Sequence, residues 1–189
     1  MASLDVTRLE KIPAFPDERD ERTIHIVVET PRDTRHKFAF DPKLRMFKLR
    51  QTIAEGLEWP YDYGFIPQTL GDDGDPIDVL FLCDEPTFSG CLVEGRLLGL
   101  IRLDKNEERN DRLIACAKRM SGIAQSTDAY DDIDDIPQES VDSLCRFLVE
   151  YSAEQGNTVT FKGVQSRKKA VDAIKAGIKK FKKRKKSSR

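Results

Sequence analysis

The sequence predicts an α+β domain, mainly β, in the form of a small closed barrel with helices packed against it. Short segments rich in β-branched and aromatic residues recur through the first two thirds of the chain, and helical periodicity appears only after residue 137. At 189 residues, 39% of them hydrophobic, the chain can build one real core, whereas two domains would be cramped.

Residues 1–20 mix Pro13, Pro16 and dense charge without periodicity, and are expected to form a flexible N-terminal arm. Residues 23–29 (TIHIVVE) are β-branched and read as a strand. A second strand follows at 37–41 (KFAFD), where alternation puts Lys37, Ala39 and Asp41 on one face. Another begins near Val79, and residues 91–102 (CLVEGRLLGLIR) are long enough for a bent strand or two joined at Gly95 or Gly99. Val141, Leu144, Cys145, Leu148 and Val149 mark one face of a helix that opens just after Pro137. Val171, Ile174, Ile178 and Phe181 mark a second. The single domain thus spans 21–178, and the basic tail 179–189 reads as a solvated helix end fraying into disorder.

The net charge of −1 hides an asymmetry: residues 173–189 hold nine Lys or Arg and no acid, which leaves −10 for residues 1–172. Such a body is the wrong surface for a general polyanion binder but suits a protein that gathers divalent cations at a carboxylate cleft. The longest apolar runs are far too short to cross a bilayer, and the N-terminus lacks the basic-then-apolar order of a secretory signal. Cysteines 83, 91, 116 and 145 show neither C-x-x-C spacing nor the density of a disulfide scaffold, so a reducing, cytoplasmic setting is expected.

Three carboxylates fall within six positions at Asp73, Asp75 and Asp78, directly before the apolar run Val79 to Leu82. Packed carboxylates repel one another and raise one another's pKa values unless a cation sits between them, so the segment reads as a site for hard metal ions. Extended backbone would point Asp73 and Asp75 together, and Pro76 would bend Asp78 towards them. An EF-hand does not fit, because Ile77 takes the fifth ligand position and Asp78 the place of the turn glycine. A solvated acidic turn is the competing reading. The preceding aromatic-rich segment, residues 59–67, reads as a loop and brings phenolic hydroxyls able to hold phosphate oxygens by hydrogen bonding.

Tyr63-Gly64-Phe65-Ile66, then Thr69-Leu70, then the acidic run from Asp73 to Leu80, resembles without a gap the signature of soluble family I inorganic pyrophosphatases. The similarity runs from about Glu29 to Tyr151 and takes in residues 98–101, residues 112–115 and Tyr130…Ile133…Pro137. The resemblance implies a five-stranded barrel of the oligonucleotide/oligosaccharide-binding type, assembled into dimers or hexamers, that hydrolyses pyrophosphate to two phosphates with several Mg²⁺ ions or with Mn²⁺. It implies metal ligands at Asp73, Asp75 and Asp78, with Asp75 also deprotonating the attacking water and Tyr63 acting beside it; in the second acidic loop, which departs from the family pattern, Asp104 or Asp111 is the expected replacement ligand. It implies further that Lys37, Glu29, Arg50, Arg112 and Tyr151 contact the substrate.

The chain departs from the family pattern at several of these places. Ala39 replaces a glutamate, Ser152 a lysine and Asn110 an aspartate, and Arg112 stands for a lysine. The arginine of the third strand is displaced by one residue, to Arg50 before Gln51, so that either a bulge restores its direction or the side chain turns away. Two alternatives follow: a divergent, weakly active homologue that binds metal and phosphate or another phosphoanhydride, and a nucleic-acid-binding barrel that uses Lys179 to Arg189. The acidic body argues against the second.

Overall fold

A computed structural model of the chain describes residues 9–118 and 125–187. Nine strands and two helices follow in order: β1 (Thr23–Thr30), β2 (His36–Asp41), β3 (Met46–Thr52), β4 (Asp62–Phe65), β5 (Asp78–Leu82), β6 (Leu92–Lys105), β7 (Glu108–Arg109), β8 (Arg112–Ala117), α1 (Gln138–Glu154), β9 (Val159–Ser166) and α2 (Arg167–Ser187). Five of the strands form a ring-like sheet, β1-β4-β5-β8-β6, closed by pairing of β6 back onto β1. Among the described strands only β5 and β8 run parallel. The hairpin β2–β3 stands apart as its own two-stranded sheet, and β9 and β7 extend the ring along β6.

Strand β5 explains how the ring holds two helices. Leu80 and Leu82 pack into a cluster with Leu98, Ile114 and the α1 residues Val141, Leu144, Phe147 and Leu148. Their alternate neighbours Val79 and Phe81 join Ile24, Ile26, Leu97 and the α2 residues Ala170, Val171 and Ile174. A strand buried on both faces needs an unbroken apolar run, which is what residues 79–82 supply. At about 25 cal/mol per Å² of apolar surface, each such side chain contributes about 2 kcal/mol of burial.

Several expectations are corrected. The arm is packed in its second half: Ala14 and Phe15 are buried in the cluster under α2, and His25 N–H donates to Ala14 O (2.9 Å). Two small or aromatic side chains between prolines outweigh the surrounding charge. Residues 1–8 lie outside the described chain. The stretch around Tyr63 is the strand β4 rather than a loop, buried between β1 and β5, and four residues with a central glycine give almost no periodicity. A Cβ on Gly64 would lie 2.2 Å from Val27 O, so only glycine permits this approach of backbone to backbone. In α1, Val149 is exposed and Phe147 takes its place on the buried face. The bend of β6 comes from a bulge at Leu98, beside Gly99. The tail remains helical through Ser187, with residues 188–189 outside the description.

Candidate active site

The turn between β4 and β5 is tied at its base. Thr69 Oγ1 donates to Ile66 O (2.6 Å) and accepts from Ile77 N–H (3.0 Å), Gly71 N–H donates to Asp75 O (2.7 Å), and Asp75 N–H donates to Asp73 Oδ1 (3.1 Å). Asp73, Asp75 and Asp78 thereby border one cleft of about 930 Å³, with Asp73 and Asp75 exposed at its mouth and Asp78 half-buried. Glu29, Lys37, Arg50, Tyr63 and Arg112 line the same cleft.

Two bulges aim side chains into it. In the β1–β4 ladder Val28 pairs with Gly64 and Thr30 with Tyr63, so Glu29 is the extra residue. Its carboxylate accepts from Phe40 N–H (2.7 Å), and burial, with Asp78 and Asp75 adding repulsion, pushes its pKa up to about 7. In the hairpin Lys37 pairs with Gln51 and Phe38 with Leu49, so Arg50 is the bulged residue. The one-residue displacement read in the sequence is thus absorbed, and the guanidinium reaches the cleft.

In the wall of the cleft, Lys37 Nζ sits 5.3, 5.0 and 5.1 Å from the ring centres of Trp59, Tyr63 and Tyr151. Three aromatic faces hold the ammonium by cation–π attraction and limit the directions it can take. Tyr151 does this from α1 but is not part of the cleft lining itself. Strand β4 is anchored by fully buried Asp62, which accepts from Arg32 N–H (2.8 Å), Thr87 N–H (3.1 Å) and the Thr87 hydroxyl (2.6 Å). Burial raises the Tyr63 phenol well above its usual pKa, so it stays a neutral donor. Arg112 Nη1 lies 2.9 Å from Asp78 Oδ2; burial opposes its charge, but Asp78, Tyr63 and Asp73 outweigh that and raise its pKa. Asp75 is pushed up by partial burial, then by Asp73 and Asp78, while Arg184 pulls it down.

One expected ligand is not brought in. Asp104 faces a different cleft with Asn106, Thr158 and Lys162, and its carboxylate lies 3.3 Å from Lys162 Nζ. The pairing of β6 with β9 turns it there. Asp111 is nearer to the acidic turn but is engaged by Arg109 Nη2 at 2.6 Å. Asn110 Nδ2 reaches Asp73 Oδ2 at 3.4 Å. Sequence reasoning missed Arg45, Lys105, Phe181 and Arg184, which also line the cleft. No spacing links these four to the acidic motif, and they become neighbours only through the fold.

The family model described as inorganic pyrophosphatase matches residues 26–182. The chain belongs to the inorganic pyrophosphatase family. Its sequence is 36% identical over 167 residues to the inorganic pyrophosphatase of Haloferax volcanii, covering 88% of this chain and 89% of that protein. The inorganic pyrophosphatase of Thermus thermophilus superposes with a TM-score of 0.82 at 30% identity, over 92% of this chain and 98% of that one. That of Neisseria gonorrhoeae gives 0.82 at 26%, over 92% and 99%.

The donor set of this pyrophosphatase family member suits a hard divalent ion. Among the described residues no three His, Cys, Asp or Glu side chains converge to cage an ion by themselves. Mg²⁺ rarely uses such a cage, being held by one or two carboxylates together with water and substrate phosphate. Carboxylates gathered at the mouth of a cleft that Lys37, Arg50 and Arg112 also line provide that arrangement.

Proposed function

We propose that the protein hydrolyses inorganic pyrophosphate to two phosphates with Mg²⁺, Mn²⁺ being a workable substitute. The observation that carries this is the shared cleft of Asp73, Asp75 and Asp78 with Lys37, Arg50 and Arg112, which offers oxygen ligands for cations and donors for phosphate. Divalent ions held there would neutralise the polyanion and acidify a water molecule. The chain's own part is to bind and to move a proton. Lys37, fixed by its three rings, and Arg50, aimed by its bulge, hold phosphoryl oxygens. The Tyr63 hydroxyl donates to the same group without adding charge. Asp75 takes the proton as the water oxygen bonds to phosphorus and the bridging P–O bond breaks. Arg112, braced by Asp78, faces the developing negative charge.

Asp75→Asn tests this. Phosphate release from pyrophosphate should fall by at least about 10²-fold with the thermal melt unchanged, as expected for loss of a proton acceptor; retention of near-normal turnover would remove Asp75 from that role. We also propose self-association into a dimer or hexamer, supported by exposed Phe88, Leu92 and Phe161 and measurable by light scattering. A cytoplasmic location fits the four free cysteines, and no described helix is long and apolar enough to cross a membrane.

A further inference from the structure

The C-terminal half of α2 lies directly on the acidic turn. Leu70 N–H donates to Gly177 O (3.1 Å), and a Cβ on Gly177 would meet Ile77 Cδ1 at 2.6 Å and Thr69 Cβ at 3.2 Å, so the helix backbone touches the turn. One helical turn further on, Lys180 Nζ is paired with Asp72. One more turn brings Arg184 Nη1 to Gly74 O at 2.9 Å, and Phe181 and Arg184 line the same cleft as Lys37 and Arg50. Residues 177, 180, 181 and 184 form one helix face.

We infer that Arg184 is a substrate-gripping residue: α2 docks over the acidic turn so that this guanidinium binds the outer phosphate of the substrate. The assignment rests on the pyrophosphatase reading of the cleft. A guanidinium carries five N–H donors in a planar fork, so a bond to Gly74 O on one edge is compatible with another to a phosphate oxygen on the cleft side. The phosphates would then meet cations from both the β2–β3 hairpin and α2.

The test compares full-length wild type, Arg184→Gln, Arg184→Lys and the outward control Lys186→Gln. Two quantities are read: KM and kcat for pyrophosphate, and the Kd of the non-hydrolysable imidodiphosphate with Mg²⁺ by calorimetry. Loss of one charged phosphate contact should raise KM and the analogue Kd about tenfold in Arg184→Gln, with kcat within about twofold of wild type. Arg184→Lys should recover part of the loss and Lys186→Gln none of the effect. Unchanged KM and analogue affinity in Arg184→Gln would overturn the assignment. So would an effect confined to the Mg²⁺ concentration required, because Arg184 would then act only through the turn. If wild type neither hydrolyses pyrophosphate nor binds the analogue, the reading of the cleft fails, and this assignment fails with it.

Discussion

Glu29 is the side chain whose chemistry its position changes most. In the unfolded chain it titrates near 4.5, and in the fold, mainly through burial, at about 7, so the fold retains a proton that the unfolded chain gives up. The associated stability is fully present below pH 4.5 and declines as the pH rises towards 7. In metal-free protein, Glu29→Gln should therefore melt higher relative to wild type at pH 8 than at pH 5, by at most about 3 kcal/mol in stability. Equal differences at the two pH values would show that Glu29 is not held protonated. The triad Asp73, Asp75 and Asp78 could be picked out from spacing alone, because carboxylates so close together demand an explanation. Lys37 could not be. As an isolated lysine on a strand it carries no signal, and its importance comes from Trp59, Tyr63 and Tyr151, which approach it from the β3–β4 connection, β4 and α1.

Strands and helices differ in how much of their placement could be read. β1, β2, β5 and β6 announce themselves by β-branched or alternating runs, and α1 and α2 by period-3.6 stripes. β4 does not, since its four residues are buried for tertiary reasons. Gly64 marks that constraint: Gly64→Ala forces a methyl against the Val27 carbonyl, and a loss of more than about 3 kcal/mol is expected in chemical denaturation. A loss below about 1 kcal/mol would mean that the β1–β4 contact is loose. The bulges at Glu29 and Arg50 also escape a sequence reading, since a strand pattern gives the period but not the position where a residue is added. Asp104 shows the same limit from the other side. Its charge was visible, but the pairing of β6 with β9 sends it to Lys162 and away from the site.

Across the whole molecule, the opposition of an acidic body and a basic end has a structural meaning. The cations of residues 173–189 are not all spent on solvent, because Lys180 and Arg184 turn onto the acidic turn of the same chain. That contact weakens the case for the helix end as a nucleic-acid handle. The departures at Ala39, Asn110 and Ser152 do not dismantle the cleft: Ala39 and Asn110 line it, while Ser152 is buried in α1. Their effect should fall on efficiency and metal demand, since each removes a charge that the family pattern supplies.

Phosphate release from pyrophosphate by the purified full chain, followed across a Mg²⁺ titration, tests the central claim most directly. Turnover should rise saturably with Mg²⁺, vanish with a chelator, and require about tenfold more Mg²⁺ in Asp78→Asn, as expected when one of a small set of carboxylate ligands is lost. Absence of phosphate release by wild type at every Mg²⁺ and Mn²⁺ concentration would contradict it.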